Sequence, residues 1–278
     1  MKTNKYTVQL APFNLWQVLL SGQCFRSAPD GEGALICAGG HRGRFSCAPD
    51  GLVCEVESFE ALETFWLPYF DAGRDYMAAR SYLSQTDPVM EAATRAGSGL
   101  RVLRQPLFET VLTFIISQRS NIPRIKRVVA ELCGRYGQDM GGWHAFPTPE
   151  RLACVPADEL ACLRAGYRTP YIAAAARFAA EGGLEGIGSL PYAEAKARLL
   201  GMPGIGEKVA CCILLFAGGY MEAFPVDVWI GRAIDELYGG CLDPCTFAPY
   251  AGLAQQYLFY HIRQLNGAPG PEEYLRKL

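Results

Sequence analysis

No continuous apolar run in this 278-residue chain reaches the roughly 18–20 residues that a membrane span needs. The opening Met-Lys-Thr-Asn-Lys-Tyr has no apolar core of the kind a secretory signal carries. A cytoplasmic protein with no membrane partner is therefore expected. A basic surplus is missing too, because the formal net charge is −2, which is unusual for a chain that binds nucleic acid. Internal repeats, low-complexity segments and long linkers are absent. Cysteine is plentiful but unpatterned: the count of 11 is odd, the spacing is irregular, and Cys133, Cys211 and Cys212 lie in helical patterns among apolar residues. Reduced thiols follow. The only close pairs, Cys211-Cys212 and Cys241 with Cys245, make no four-ligand set, so no side-chain metal site or iron–sulfur cluster is expected.

What is present begins with a hydrophobic content of 50%, enough to bury a substantial core. Residues 1–57 carry brief apolar stretches, Val18-Leu20, Ala34-Cys37, Arg44-Cys47 and Leu52-Val56. Turn formers such as Ser21-Gly22-Gln23, Gly39-Gly40 and Asp50-Gly51 separate them. That spacing predicts an antiparallel sheet with hairpins. From about residue 58 the pattern becomes helical. Helices are expected over 59–66, 73–82, 88–96, 106–118, 122–136, 149–155, 158–165, 170–181, 191–200, 206–217, 228–238, 246–265 and 272–277. Several open on a proline, which a first helical turn tolerates. The expected fold class is α+β: an antiparallel sheet domain with flanking helices over 1–97, packed on a larger all-helical region over 98–278. The one clear basic cluster is Arg119, Arg124, Lys126, Arg127 and Arg135, opposed only by Glu131. A solvated helix face is its bland alternative.

The chemistry concentrates in 199–227, Leu-Leu-Gly-Met-Pro-Gly-Ile-Gly-Glu-Lys-Val-Ala, then an apolar run, then Phe-Pro-Val-Asp. Gly204 and Gly206 permit a tight turn whose amides point one way, and the helix that follows adds its positive end, so an anionic oxygen such as a DNA phosphate is the natural ligand. Lys208 and Asp227, separated by one helix and one loop, suit a nucleophile and its carboxylate partner. To attack, the amine must be neutral, a form that burial and a helix N-terminus favour. Asp227 opens a helical pattern, so it also suits an N-cap. Cys212 follows Lys208 by one turn on the same face. Gln255 and Phe259 are likewise four apart, offering an amide and an aromatic plane on one face of 246–265.

The hairpin over 191–217 and its Pro-Val-Asp resemble the helix-hairpin-helix DNA glycosylase superfamily. Ser21-Gly22-Gln23-Cys24-Phe25-Arg26, Gly99-Leu100-Arg101-Val102-Leu103-Arg104-Gln105, Phe114-Ile115-Ile116-Ser117, Gly166-Tyr167-Arg168 and the stretch from Tyr250 to Phe259 narrow the likeness. They resemble the 8-oxoguanine DNA glycosylase/lyase branch, in a prokaryotic member. The likeness runs from about residue 10 to 265.

The resemblance implies a monomer on double-stranded DNA that flips out 8-oxoguanine opposite cytosine. Lys208 would attack C1′, expel the base, and cut the strand by β-elimination through a Schiff base. It assigns the lesion base to Cys212 and Phe259 as a sandwich, to Gln255 at the base edge, and to the Gly22 carbonyl, which would accept the N7–H that guanine lacks. It assigns Tyr167 and Arg168 to the gap in the duplex, Arg124 to the orphaned cytosine, and Gly204, Gly206 and Val209 to the strand. Two departures stand out. Arg119 occupies the place of an asparagine that fills the vacated space, and Trp229 replaces a histidine near a phosphate. No cofactor is required, and by analogy the carbonyls of Leu200, Met202 and Ile205 can hold a monovalent or divalent cation. A prokaryotic location at the nucleoid is expected. Two other readings remain: a helix-hairpin-helix glycosylase for alkylated or other oxidised bases, and a non-enzymatic DNA-binding module.

Overall fold

The computed structural model describes residues 3–49 and 51–276. Asp50 of the turn expected at Asp50-Gly51, and residue 277 of the helix expected over 272–277, lie outside them. No described helix is long and apolar enough to cross a membrane.

Alternation of buried and exposed residues builds one five-stranded antiparallel sheet. The strands are β1 (Asn4–Gln9), β2 (Ser27–Asp30), β3 (Gly33–Ala38), β4 (His41–Ala48) and β5 (Gly51–Val56), in spatial order β1-β5-β4-β3-β2. Register places Asn4 opposite Val56, Glu55 opposite Arg44, and Ser27 opposite Ile36. Ile36, Phe45, Leu52, Cys54 and Val56 are fully buried. Phe45 meets Trp66 at 4.7 Å and Phe70 at 5.0 Å between ring centroids, so the helical run over 59–69 forms the floor of the sheet.

The compact units do not follow the chain in order. The first comprises 1–36, 42–104 and 220–278, and the second 37–41 and 105–219. The sequence division at residue 97 cuts the chain once, whereas these units bring the C-terminal sixty or so residues back to the N-terminal segment. Helix Ala251–Leu265 is the central rod of the first unit, packed on helices Pro88–Ala96 and Val228–Tyr238. Its residues 251–258 are all buried.

Helix Leu107–Ser117 plays that part in the second unit. Thr110 to Ile116 are buried all round, so it lies inside its neighbours Ile122–Tyr136, Thr169–Ala180 and Glu207–Ile213. The last of these continues as a π-helical turn, Leu214–Gly218.

Several boundaries differ from expectation, among them four with a clear local cause or a change of element type. Val18-Leu20 belongs to a helix, Leu15–Leu20, because Asn14 Oδ1 accepts from the N–H groups of Trp16 and Gln17 and caps it. Helix Tyr76–Ser84 starts three residues later than predicted, where Asp75 caps the Ala78 N–H at 2.9 Å. The stretch expected over 158–165 is a 3-10 turn, Glu159–Leu163. The helix expected over 246–265 begins only at Ala251, after a 3-10 turn at Pro244–Phe247. Pro249 forces Ala248 out of the helical region, to φ −59, ψ 139.

Candidate active site

The hairpin joins helix Tyr192–Leu200 to helix Glu207–Ile213 through Gly201–Gly206. Its turn needs glycine at 204, where φ is +82 and a Cβ would fall 2.3 Å from Cγ of Tyr171. Gly206 precedes the second helix without any side-chain cap, so first-turn N–H groups stay open to an anion. Val209 lies in that turn with its side chain buried, which leaves only its backbone to meet a strand. Of the carbonyls expected to hold a cation, that of Met202 already accepts the Ile205 N–H at 3.2 Å. A carbonyl has a second lone pair, so this bond is compatible with a cation there.

Lys208 stands in the first turn of the same helix, half-buried, with Nζ 5.4 Å from the centroid of Phe114. Within its unit, among the described residues, no carboxylate pairs with it. Glu207, its neighbour, is held instead by Lys196 at 2.5 Å. Phe114 stacks on Phe216 at 5.4 Å and 12°, which fixes the plane under the amine. One turn on, Cys212 is 3% exposed. All eleven cysteines are thiols in the structure.

Helix Leu107–Ser117 ends in a turn that carries Gln118 and Arg119. Gln118 Nε2 donates to the Gly204 carbonyl at 2.9 Å, tying this turn to the hairpin. Arg119 is exposed and adopts φ +45, a left-handed conformation uncommon outside glycine. Arg168 underlies both. It is 4% exposed, and its guanidinium donates to the carbonyls of Gln118, Arg119 (3.2 Å) and Ala165 (3.0 Å). Tyr167 is 52% exposed, stacked on that guanidinium at 4.4 Å. The side chain expected at the DNA gap beside Tyr167 is thus an internal clamp for the Gln118-Arg119 turn. Arg124 is exposed, with one long contact of 3.5 Å to the Arg164 carbonyl.

The remaining expected residues lie in the first unit. Asp227 caps helix Val228–Tyr238: Oδ1 accepts from the N–H groups of Trp229 at 3.0 Å and Ile230 at 2.9 Å, which leaves Oδ2 open. Trp229 is half-buried, with the Arg232 guanidinium 5.2 Å from its ring. Gln255 is 3% exposed; its Nε2 donates to the Pro225 carbonyl at 3.1 Å and its Oε1 accepts from Gln256 at 2.8 Å. One donor hydrogen and one lone pair remain for a ligand.

Phe259, a turn further on, lies against Gly22. There φ is +76 and a Cβ would fall 3.2 Å from Cζ of the ring. Gln23 secures this loop: Oε1 accepts the Leu103 N–H at 2.7 Å, and Nε2 donates to the Arg101 carbonyl at 2.8 Å. The segments 21–26 and 99–105, far apart in sequence, are therefore one hydrogen-bonded piece. The unit brings together Gly22, Phe259, Gln255 and Asp227 on or beside helix Ala251–Leu265. Lys208, Cys212, the hairpin, Arg119, Tyr167 and Arg168 belong to the other unit.

Sequence reasoning missed Phe114, Gln118 and Arg263. Arg263 was within reach of it, because it repeats the four-residue spacing that linked Gln255 to Phe259. Phe114 stood in the motif 114–117 without a role of its own, since an apolar helix shows no preferred face, and Gln118, just past that helix, gave no sign of its bond to the distant Gly204 carbonyl.

Comparison with known proteins gives consistent findings. The family model for the 8-oxoguanine DNA glycosylase N-terminal domain matches residues 5–111, and that for the HhH-GPD superfamily base excision DNA repair protein matches 112–241. The chain is 35% identical over 205 residues to the N-glycosylase/DNA lyase OGG1 of Arabidopsis thaliana, a match covering 64% of this chain. It spans 56% of that relative's length. Among solved structures, MBOgg1 in complex with a low-affinity DNA ligand superimposes with a TM-score of 0.90 and 33% identity, covering 96% of this chain and 100% of that one. The 8-oxoguanine glycosylase/lyase of Clostridium acetobutylicum, solved with double-stranded DNA containing cytosine opposite 8-oxoG, gives 0.87 and 29%, with coverages of 96% and 100%.

Proposed function

The chain belongs to the 8-oxoguanine glycosylase family of helix-hairpin-helix base excision repair proteins, and we propose that it is a bifunctional 8-oxoguanine DNA glycosylase and abasic-site lyase. It acts as a monomer on double-stranded DNA, with the lesion opposite cytosine. The observation that carries this reading is Lys208: an amine in the first turn of a glycine hairpin helix, above an aromatic face, with its neighbour Glu207 held by Lys196 instead.

The chemistry follows from what each group can supply. The hairpin amides bind a backbone phosphate while the target nucleotide leaves the stack, a displacement that costs roughly a few kcal/mol. Tyr167 and Arg119 occupy the space it vacates, and Arg124 donates to the unpaired cytosine. For the lesion base, the family resemblance gives Phe259 and Cys212 the role of flanking groups and Gln255 that of reading its edge, while the Gly22 carbonyl accepts N7–H.

The Lys208 lone pair forms a bond to C1′ as the N-glycosidic bond breaks, and the base leaves with that electron pair and takes up a proton. The Asp227 carboxylate stabilises the positive charge that develops on the sugar. Loss of the nitrogen proton and ring opening give the Schiff base. Removal of a C2′ proton then expels the 3′ phosphate oxygen and cuts the strand. A cation at the carbonyls of Leu200, Met202 and Ile205 would brace the phosphate-binding turn and take no part in bond breaking.

Borohydride trapping tests the reading. A covalent complex with an 8-oxoguanine duplex is expected from the wild-type chain and not from Lys208→Gln. An undiminished adduct in the variant removes Lys208 as nucleophile. Retention on DNA with no base release supports the binding-module reading instead.

A further inference from the structure

Arg263 belongs to none of the groups that attack, stabilise or contact the base. It lies one turn after Phe259 on helix Ala251–Leu265, and its guanidinium stands 5.3 Å from the centroid of that ring. Its Nη1 donates to the Leu20 carbonyl at 2.6 Å, a charge-assisted bond between residues 243 positions apart. Leu20 ends helix Leu15–Leu20, and Gly22 follows two residues later, with its Cβ position 3.2 Å from the far edge of the same ring. One cation thus grips both parts of the pocket wall, the aromatic plane and the loop that bears the carbonyl.

Burial pulls the Arg263 guanidinium below the usual arginine range, and the Asp227 carboxylate and Tyr260 pull it back. An arginine stays charged under such forces. A cation in the last turn of a helix is also favourable by itself, and that is the plainer explanation of its presence. That explanation does not account for the Leu20 bond or the ring contact. Both of those contacts converge on the loop and the ring that the base must fit.

We infer that Arg263 is a positioning residue for lesion recognition, holding the Gly22 carbonyl and the Phe259 ring at the spacing that admits a base bearing N7–H. The inference rests on the base-excision reading. It acts on the step that needs a base in the pocket and not on the step that follows base loss. Strand cleavage at a pre-formed abasic site has no base to position, so the two activities report on different parts of the protein.

The experiment measures two single-turnover rates on the same preparations of wild type, Arg263→Gln and Arg263→Lys. One is excision of 8-oxoguanine opposite cytosine, and the other is cleavage at a pre-formed abasic site. Their ratio cancels the fraction of folded protein, so partial loss of stability does not disturb it. The ratio is expected to fall by up to about 10²-fold in Arg263→Gln, the scale of a 1 Å misplacement of reacting groups. Arg263→Lys, which keeps a cation able to reach Leu20, is expected to recover most of it. An unchanged ratio in Arg263→Gln, whatever the absolute rates, overturns the inference. So does a ratio in Arg263→Lys as low as that of Arg263→Gln. A wild-type protein that cleaves abasic sites but spares 8-oxoguanine overturns the substrate reading itself, and the inference with it.

Discussion

Gly22 approaches Phe259 so closely that a Cβ on it would stand 3.2 Å from Cζ and 3.3 Å from Cε1 of the ring. At φ +76 an L side chain is strained as well, by about 1–2 kcal/mol. Gly22→Ala is therefore expected to push the loop away from the ring and carry its carbonyl out of reach of N7–H. The outcome is a lower ratio of 8-oxoguanine to guanine binding, measured by competition between the two duplexes. Unchanged selectivity would count against the carbonyl as detector.

Asp227 has two functions that one substitution separates. Asparagine caps a helix about as well as aspartate, so Asp227→Asn keeps the bonds to Trp229 and Ile230 and loses only the charge. Melting temperature is expected to stay near wild type while base excision falls by about 10²-fold, the range for a lost electrostatic stabiliser. Asp227→Ala loses the cap too, at about 1 kcal/mol. A fully active asparagine variant would reduce Asp227 to a cap.

Much of this arrangement is legible in the sequence, for identifiable reasons. Gly204, Gly206 and Lys208 are close neighbours in the chain, so turn chemistry and helix spacing suffice to relate them. Gln255 and Phe259 follow from the same four-residue rule. Other relationships depend on contacts distant in sequence. Nothing local says that Gln23 binds the 101–103 backbone, or that Arg168 turns inward to the carbonyls of Gln118 and Arg119. A charged residue next to an exposed tyrosine looks like a surface contact until its partners are known. The helix Leu15–Leu20 was hidden for a different reason: six residues are too few for periodicity, and only the Asn14 cap marks it.

Arg124 and Arg168 are both basic residues of the second unit, yet their environments predict opposite consequences. Arg124 is exposed and its side-chain hydrogen bond to the Arg164 carbonyl is long, so Arg124→Ala is expected to leave stability within about 0.5 kcal/mol. Its effect is expected on excision measured opposite each of the four bases, with preference for cytosine relaxed. Equal losses opposite all four would make Arg124 a phosphate contact.

Arg168→Met removes a buried guanidinium and its bonds to the carbonyls of Gln118, Arg119 and Ala165, leaving that of Gln118 with the long bond from the Tyr167 hydroxyl at 3.4 Å. The expected cost in urea denaturation is about 1–3 kcal/mol, the range for unsatisfied buried polar groups. Affinity for lesion duplex is expected to fall with it, because Arg119 loses its left-handed anchor. Arg119→Ala provides the contrast: weaker DNA binding at nearly unchanged stability. Equal stability in Arg168→Met and wild type would show that the clamp contributes nothing to the fold.

Gly204 is the position where hairpin, gap turn and helix Thr169–Ala180 meet. Its carbonyl accepts from Gln118, and a Cβ would fall 2.3 Å from Cγ and 2.5 Å from Cδ2 of Tyr171. Gly204→Ala combines two faults, a clash with that ring and a left-handed φ of +82. Only the clash can be relieved from outside. Tyr171→Ala should make room, so the double variant is expected to be more stable than the sum of the single losses, by about 1 kcal/mol of coupling. The φ strain, about 1–2 kcal/mol, is expected to persist in both. DNA affinity should follow the hairpin: low in Gly204→Ala and partly recovered in the double variant. Strict additivity in urea denaturation would mean that the ring and the turn do not touch in solution, and that the φ requirement alone fixes glycine at 204.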